Sequence, residues 1–149
     1  MGEQRLETNS CAVTLQLTNG EELTGEVFLQ LVGARGIGIQ RVGELLNTED
    51  CFLPLRRDGR VSLINLRQVA LVKVAADREA DDLTRLGVQQ QVSVSTTVGK
   101  SFQASIYINL PSHSGRVKDF LNQRQRFLPF FVDDQVIYLN FRFILQVED

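Results

Sequence analysis

The sequence predicts a mainly β protein made of two tandem small β-barrels, each with one short helical turn, joined by a short helical linker. Three observations carry this. The block Arg41-Val42-x-Glu44-Leu45-Leu46-Asn47-x4-Phe52-Leu53-Pro54-Leu55 returns as Arg116-Val117-x-Asp119-Phe120-Leu121-Asn122-x4-Phe127-Leu128-Pro129-Phe130, with seven of fifteen positions identical. Apolar residues alternate with polar ones in short runs separated by Gly, Asn and Asp, the pattern of half-buried strands and tight turns. The copies, 11–75 and 90–149, hold only 65 and 60 residues, a length and strand number that suit a small, strongly curved barrel better than an open sheet.

The correspondence runs well beyond that block. Val13-x-Leu15, Gly20, Leu23, Gly25, Val27 and Leu29 map onto Val92-x-Val94, Gly99, Phe102, Ala104, Ile106 and Ile108 at an offset of 79. From Arg41 the offset is 75, so the first copy holds four extra residues between Leu31 and Arg41. At the far end Ile64-Asn65-Leu66-Arg67-x-Val69 answers Leu139-Asn140-Phe141-Arg142-x-Ile144. Self-similarity of this kind decides the architecture before any local reading does. Units this small bury only about 60% of their unfolded surface, so the copies are expected to pack on each other as an intramolecular pseudo-dimer.

Taken in order, Val13, Leu15 and Leu17 predict the first strand, and Asn19-Gly20 the turn into a return strand over 23–31. Gly33-Ala34-Arg35-Gly36-Ile37-Gly38 falls in the four-residue excess. Its spacing fits neither the P-loop nor the dinucleotide fingerprint, and a hairpin extension or bulge is the better reading. Val42–Leu46 and Val117–Leu121 read as single helical turns, with Asn47 and Asn122 placed for left-handed C-terminal caps. Phe52-Leu53-Pro54-Leu55 resumes as a strand whose proline belongs at an edge or strand end. Asp58-Gly59 and Asp133-Asp134 make the next turns, and the runs after them complete each unit. Between the copies, 76–89 reads as the linker, with Leu83 and Leu86 at helical spacing able to dock on a barrel.

Composition narrows the function classes. The net charge is −2 with both signs interspersed, so no global field draws nucleic acid or an anionic membrane. Cys11 and Cys51 have Gln90 and Arg126 at the matching positions, which argues against a duplicated disulfide framework. The chain shows no apolar leader and no long apolar run, and reads as cytoplasmic with free thiols. Membrane association and cofactors are not expected.

Few residues carry chemistry. His113 is the single histidine and sits among Pro111, Ser112, Ser114 and Gly115, a loop with no metal-ligand spacing and no oriented nucleophile–base pair. The charged residues kept in both copies are Arg41/Arg116, Glu44/Asp119 and Arg67/Arg142. Arginine and acid at i, i+3 share a helical face, and the second arginine could close on the same carboxylate in a structural clamp. The alternative is an anion site, because the guanidinium fork matches phosphate or carboxylate. Asn47 and Asn122 join this candidate set. Nine of eleven aromatic residues lie in the second copy. Phe130, Phe131 and Phe143 are candidates for an interface patch beside the plainer reading of a thicker core. Arg124 and Arg126 are the basic residues best placed to accompany base stacking.

Two resemblances follow from these residues. Val13-x-Leu15 with Gly20, Leu23, Gly25 and Val27, closed by Asn65-Leu66-Arg67, resembles Sm-like RNA-binding barrels within the broader SH3-like group. That resemblance implies single-stranded RNA as a ligand, bound through an Asp…Asn pair and a basic turn residue. Here Asp119-x-x-Asn122 is one residue shorter than the family pattern and the family's Arg-Gly turn is absent. Separately, Arg-x-x-(Asp/Glu)-x-Leu-Asn followed by Phe-Leu-Pro is similar to a bacterial domain family of unknown function, which implies a fold without an activity.

The expectation is therefore a non-enzymatic binding or scaffold module built from a duplicated β-barrel, with a protein partner. The alternatives are an Sm-like oligonucleotide binder and a small-ligand or nucleotide sensor.

Overall fold

Alternation at Val13 and Leu15 produces the strand it predicts. In the computed structural model, which describes residues 8–32, 38–80, 82–109 and 116–149, β1 (Thr8–Leu17) and β2 (Glu22–Gln30) form an antiparallel hairpin. Gly20 turns it at φ 92°, and a β carbon added there would meet open space. The glycine therefore serves the backbone angle, not the packing. Gly99 does the same at φ 83° between β6 (Val88–Thr96) and β7 (Ser101–Ile108). Residues 33–37 of the glycine-rich extension, and His113 with its loop, lie outside the described residues.

After α1 (Val42–Leu46), β3 (Phe52–Arg57) and β4 (Arg60–Asn65) pair around Asp58, whose φ of 49° makes the left-handed turn. The Asn65 side chain accepts from Arg67 N–H at 3.0 Å and starts the 3-10 turn that leads into β5 (Val69–Ala75). Following α2 (Asp82–Arg85), the second half repeats the order with α3 (Val117–Leu121), β8 (Phe127–Val132), β9 (Gln135–Asn140) and β10 (Ile144–Glu148). Asp133 turns at φ 54°, and Asn140 accepts from Arg142 N–H at 3.1 Å. The pairs Val13↔Gly25 and Leu15↔Val72 correspond to Val92↔Ala104 and Val94↔Val147, at the offsets read from the sequence.

The ten strands form one sheet in the order β10-β6-β7-β8-β9-β5-β1-β2-β3-β4. This differs from two separate barrels. The sheet does not close, and β5 of the first half pairs with β9 of the second from Leu71↔Leu139 to Ala75↔Gln135. The cause is legible in Val69-Ala70-Leu71-Val72, four successive buried residues. A strand apolar on both faces needs cover on both sides, unlike a half-exposed one. Two cores result, and each borrows from the other half. Phe127, Val136 and Tyr138 pack with Leu15, Leu55 and Val72, while Leu71 packs with Ile106, Phe130 and Leu139.

Three local expectations change. Asn47 and Asn122 have φ −102° and −92°, so neither is a left-handed cap; Asn47 instead spends its side chain bridging the halves. Pro54 is not at a strand end but opposite Leu63 within β3, where β2 touches β3 only at Glu26↔Arg56. The missing N–H falls where the two strands have already diverged. Leu86 is 77% exposed and does not dock, and the side chain of Leu83 lies outside the described residues. A helix of four residues is too short to present an apolar stripe, and the linker residues that dock are Ala76 and Glu79, 6% and 5% exposed. Among the described residues no helix is long and apolar enough to cross a membrane.

Candidate anion-binding groove

The 3-10 turns after β4 and β9 and the segment after α3 converge on one side of the sheet. They bound a groove of about 530 Å³ lined by Arg67, Asn122, Arg124, Arg126, Phe141 and Arg142, with glutamines, Leu121 and Asn140 between them. Asn65 and Asn140 set the turns, and each turn then carries its arginine to the same opening. No carboxylate lines it. Phe141 stands at its wall, half exposed.

The four arginines are not equivalent. Arg126 is structural: its guanidinium donates to the carbonyl oxygens of Leu46 at 2.9 Å, Thr48 at 3.1 Å and Asp50 at 2.9 Å, tying the second half to the loop after α1. Arg67 and Arg142, by contrast, are held through their backbone N–H groups, and among the described residues no hydrogen bond or ion pair engages their guanidinium groups or that of Arg124. Three cationic forks thus face one opening without internal counter-charge. A planar fork in that state suits a phosphate or carboxylate brought from outside.

The proposed clamp forms in one arm only. Arg116 Nε meets Asp119 Oδ2 at 3.1 Å, with side chains 70% and 25% exposed, whereas Arg142 turns into the groove. Exposed pairs of this kind contribute about 0–1 kcal/mol. Asp119→Ala is therefore expected to lower stability by no more than about 0.5 kcal/mol in a denaturant melt, and a loss above about 2 kcal/mol would restore the clamp. In the first half Glu44 Oε1 accepts from Arg41 N–H at 3.0 Å, closing the start of α1. Arg41, Glu44 and Asn47 line a second cavity, of about 230 Å³, with Glu79 and Tyr138, and none of the three free arginines lines it.

Glu79 is the polar centre of that junction and was missed by sequence reasoning, which saw only a charged linker. Its Oε1 accepts from Gly43 N–H at 3.1 Å and from the Tyr138 hydroxyl at 2.6 Å, and its Oε2 accepts from Val42 N–H at 3.0 Å. Burial, with the Glu79 charge alongside, pushes the Tyr138 phenol far above its usual range, so it stays a donor. A β carbon on Gly43 would lie 2.6 Å from the Tyr138 ring, so glycine is what admits the tyrosine.

The three aromatic candidates do not make a shared surface. Phe130 is fully buried, edge-on to Phe120 at 6.1 Å between centroids. Phe131 is part-buried edge-on to Tyr107 at 5.0 Å, and Phe143 is part-buried near the last turn. The enrichment of rings in the second half thickens its core, because Phe130 and Phe120 fill the space that Leu55 and Leu45 occupy in the first. Cys11 and Cys51 are free thiols, and burial followed by the Glu79 charge raises the Cys11 pKa. Among the described residues no group of three or more His, Cys, Asp or Glu is placed to hold a metal ion. Compared with protein-family models, with curated proteins and with solved structures, the chain matches none, and the geometry of the groove is what a functional reading has to stand on.

Proposed function

We propose that the protein is a non-enzymatic binding module whose arginine-lined groove takes single-stranded RNA. The observation that carries this is the convergence of Arg67, Arg124 and Arg142 on one opening without a carboxylate, next to a half-exposed Phe141. Guanidinium groups follow a phosphate backbone, and an exposed ring offers a stacking platform to an unpaired base. A net charge of −2 does not oppose the reading, because the field that matters is the local one inside the groove. The reading also fits the Sm-like resemblance. Each half has its fifth strand beside its first, in the orders β5-β1-β2-β3-β4 and β10-β6-β7-β8-β9, which suits two curved five-strand units joined edge to edge. Of the residues that the resemblance nominates, Asn122 and Arg142 line the groove, whereas Asp119 lies outside it, paired with Arg116.

The test is fluorescence anisotropy with a short unstructured RNA across a salt series. Three phosphate contacts give a log–log salt slope of about −2. Arg142→Ala should weaken binding about tenfold, the scale of one charge-assisted hydrogen-bond donor, and Phe141→Ala should weaken it at every salt concentration alike. Binding that ignores salt and survives Arg142→Ala would sink the proposal.

A further inference from the structure

Three positions of the first half are out of place for what they are. Phe52, Val61 and Leu63 are 53%, 56% and 65% exposed, yet their counterparts at an offset of 75, Phe127, Val136 and Tyr138, are 0%, 0% and 4% exposed. The difference is the neighbour. Phe127, Val136 and Tyr138 are covered because β9 lies against β5, whereas β4 ends the sheet. The opposite end is β10, the counterpart of β5, and it too is unpaired on one side, with Leu145 67% exposed. The sheet therefore ends in the two strand types that pair with each other at its centre.

The surroundings of the junction are repeated as well. Around β5, Val42 and Leu46 of α1 are fully buried in a core shared by both halves, and Asn47 reaches across, its Oδ1 accepting from Phe127 N–H at 2.8 Å and its Nδ2 donating to Phe127 O at 3.0 Å. Beside β10, Val117 and Leu121 of α3 are only part-buried, and Asn122 uses its Nδ2 locally on Lys118 O at 2.7 Å, as Asn47 does on Gly43 O at 2.9 Å. Its Oδ1 has the place from which Asn47 takes the Phe127 N–H.

We propose that the chain assembles head to tail with further copies of itself, β4 of one copy adding to β10 of the next in the register of β9 on β5. The internal pairs Leu71↔Leu139, Val72↔Tyr138, Lys73↔Ile137 and Val74↔Val136, moved by 75 in opposite directions, place Ile64 opposite Gln146 of the next copy, Leu63 opposite its Val147, Ser62 opposite its Glu148 and Val61 opposite its Asp149. Arg60, on the same face as Ser62, then lies diagonal to that Glu148 and within reach of it. An exposed strand with Val61 and Leu63 and no proline is the kind of edge that recruits another strand. The two junctions do not interchange: Tyr138 needs the space over Gly43, and at the free end Lys118 stands in that place while Leu63 replaces the tyrosine. Gln146 and Glu148 make β10 more polar than β5, so the junction between copies is weaker than the internal one and reversible. Because the contact is heterologous, two copies leave a β4 and a β10 still open, and growth continues until a ring closes or a fibre forms.

The experiment is light scattering coupled to size exclusion across a concentration series of the full chain. The expected mass exceeds two copies of 16.8 kDa at high concentration and falls on dilution. Leu63→Arg and Leu145→Arg each block one end at a well-exposed position, and thermal melts confirm that both variants keep the wild-type fold. Each alone is expected to be monomeric, and an equimolar mixture should give a two-chain species through the one β4 and one β10 still intact. Alkylation of Cys51, which occupies the place of Arg126 at the internal junction, should slow as the assembly forms. A wild-type monomer at every concentration, a dimer that does not grow, or a Leu63→Arg variant that keeps the wild-type mass would overturn the proposal. None of these readouts depends on RNA.

Discussion

Glu79→Ala is expected to lower the free energy of unfolding by about 3 kcal/mol or more, because it strands three buried donors at once, each worth about 1–3 kcal/mol when left unsatisfied. Those donors are Val42 N–H, Gly43 N–H and the Tyr138 hydroxyl. Val42 is fully buried and Tyr138 is 4% exposed, so water could replace the carboxylate only through the cavity that Glu79 and Tyr138 line. Glu79→Gln should recover part of the loss, as its amide oxygen can still accept, but its NH2 then faces a donor on one side. Denaturant melts separate the cases: the midpoint should shift with the slope kept, and Ala should cost clearly more than Gln. A loss below about 1 kcal/mol for Glu79→Ala would mean that the start of α1 and Tyr138 find other partners, and that the carboxylate does not hold the halves together.

The reason this residue escaped the sequence reading is that periodicity says where apolar faces go, and a single buried carboxylate has no period. Glu79 sits between the copies, so the internal alignment gave it no counterpart either. The features that were legible are those that a local rule decides. Gly20 and Gly99 hold positive φ, and Val13 with Leu15 face a core. The mainly β class followed from these. What the local rules did not decide is how far the sheet continues. A closed barrel and an open sheet share the same hairpins, and the two-faced apolar run at β5 marks only a strand with a core on each face. The charged positions divide in the same way. Arg116 and Asp119 were readable as an i, i+3 pair. That Arg67 and Arg142 leave the acids and meet Arg124 in a groove depends on the approach of two turns about seventy residues apart in the chain.

Asn47→Ala and Asn122→Ala should differ sharply, although the two residues match in the repeat. In dilute solution the first is expected to cost about 2–4 kcal/mol and the second less than about 1 kcal/mol. Asn47 makes three hydrogen bonds, two of them to the backbone of Phe127, whose ring is fully buried in the other half's core. Its removal leaves the Phe127 N–H and carbonyl without their partner where water has little access, and it loosens the contact on which Arg126 and its three carbonyl acceptors depend. Asn122 loses one bond to Lys118 O on an exposed turn, where water takes its place. Matching losses would place the importance of the asparagine in the helical turn itself, common to both copies. Unequal losses would place it in the junction between halves. If copies then assemble through β4 and β10, the cost of Asn122→Ala should rise with protein concentration while that of Asn47→Ala stays fixed, since one asparagine serves a contact made within the chain and the other a contact made between chains.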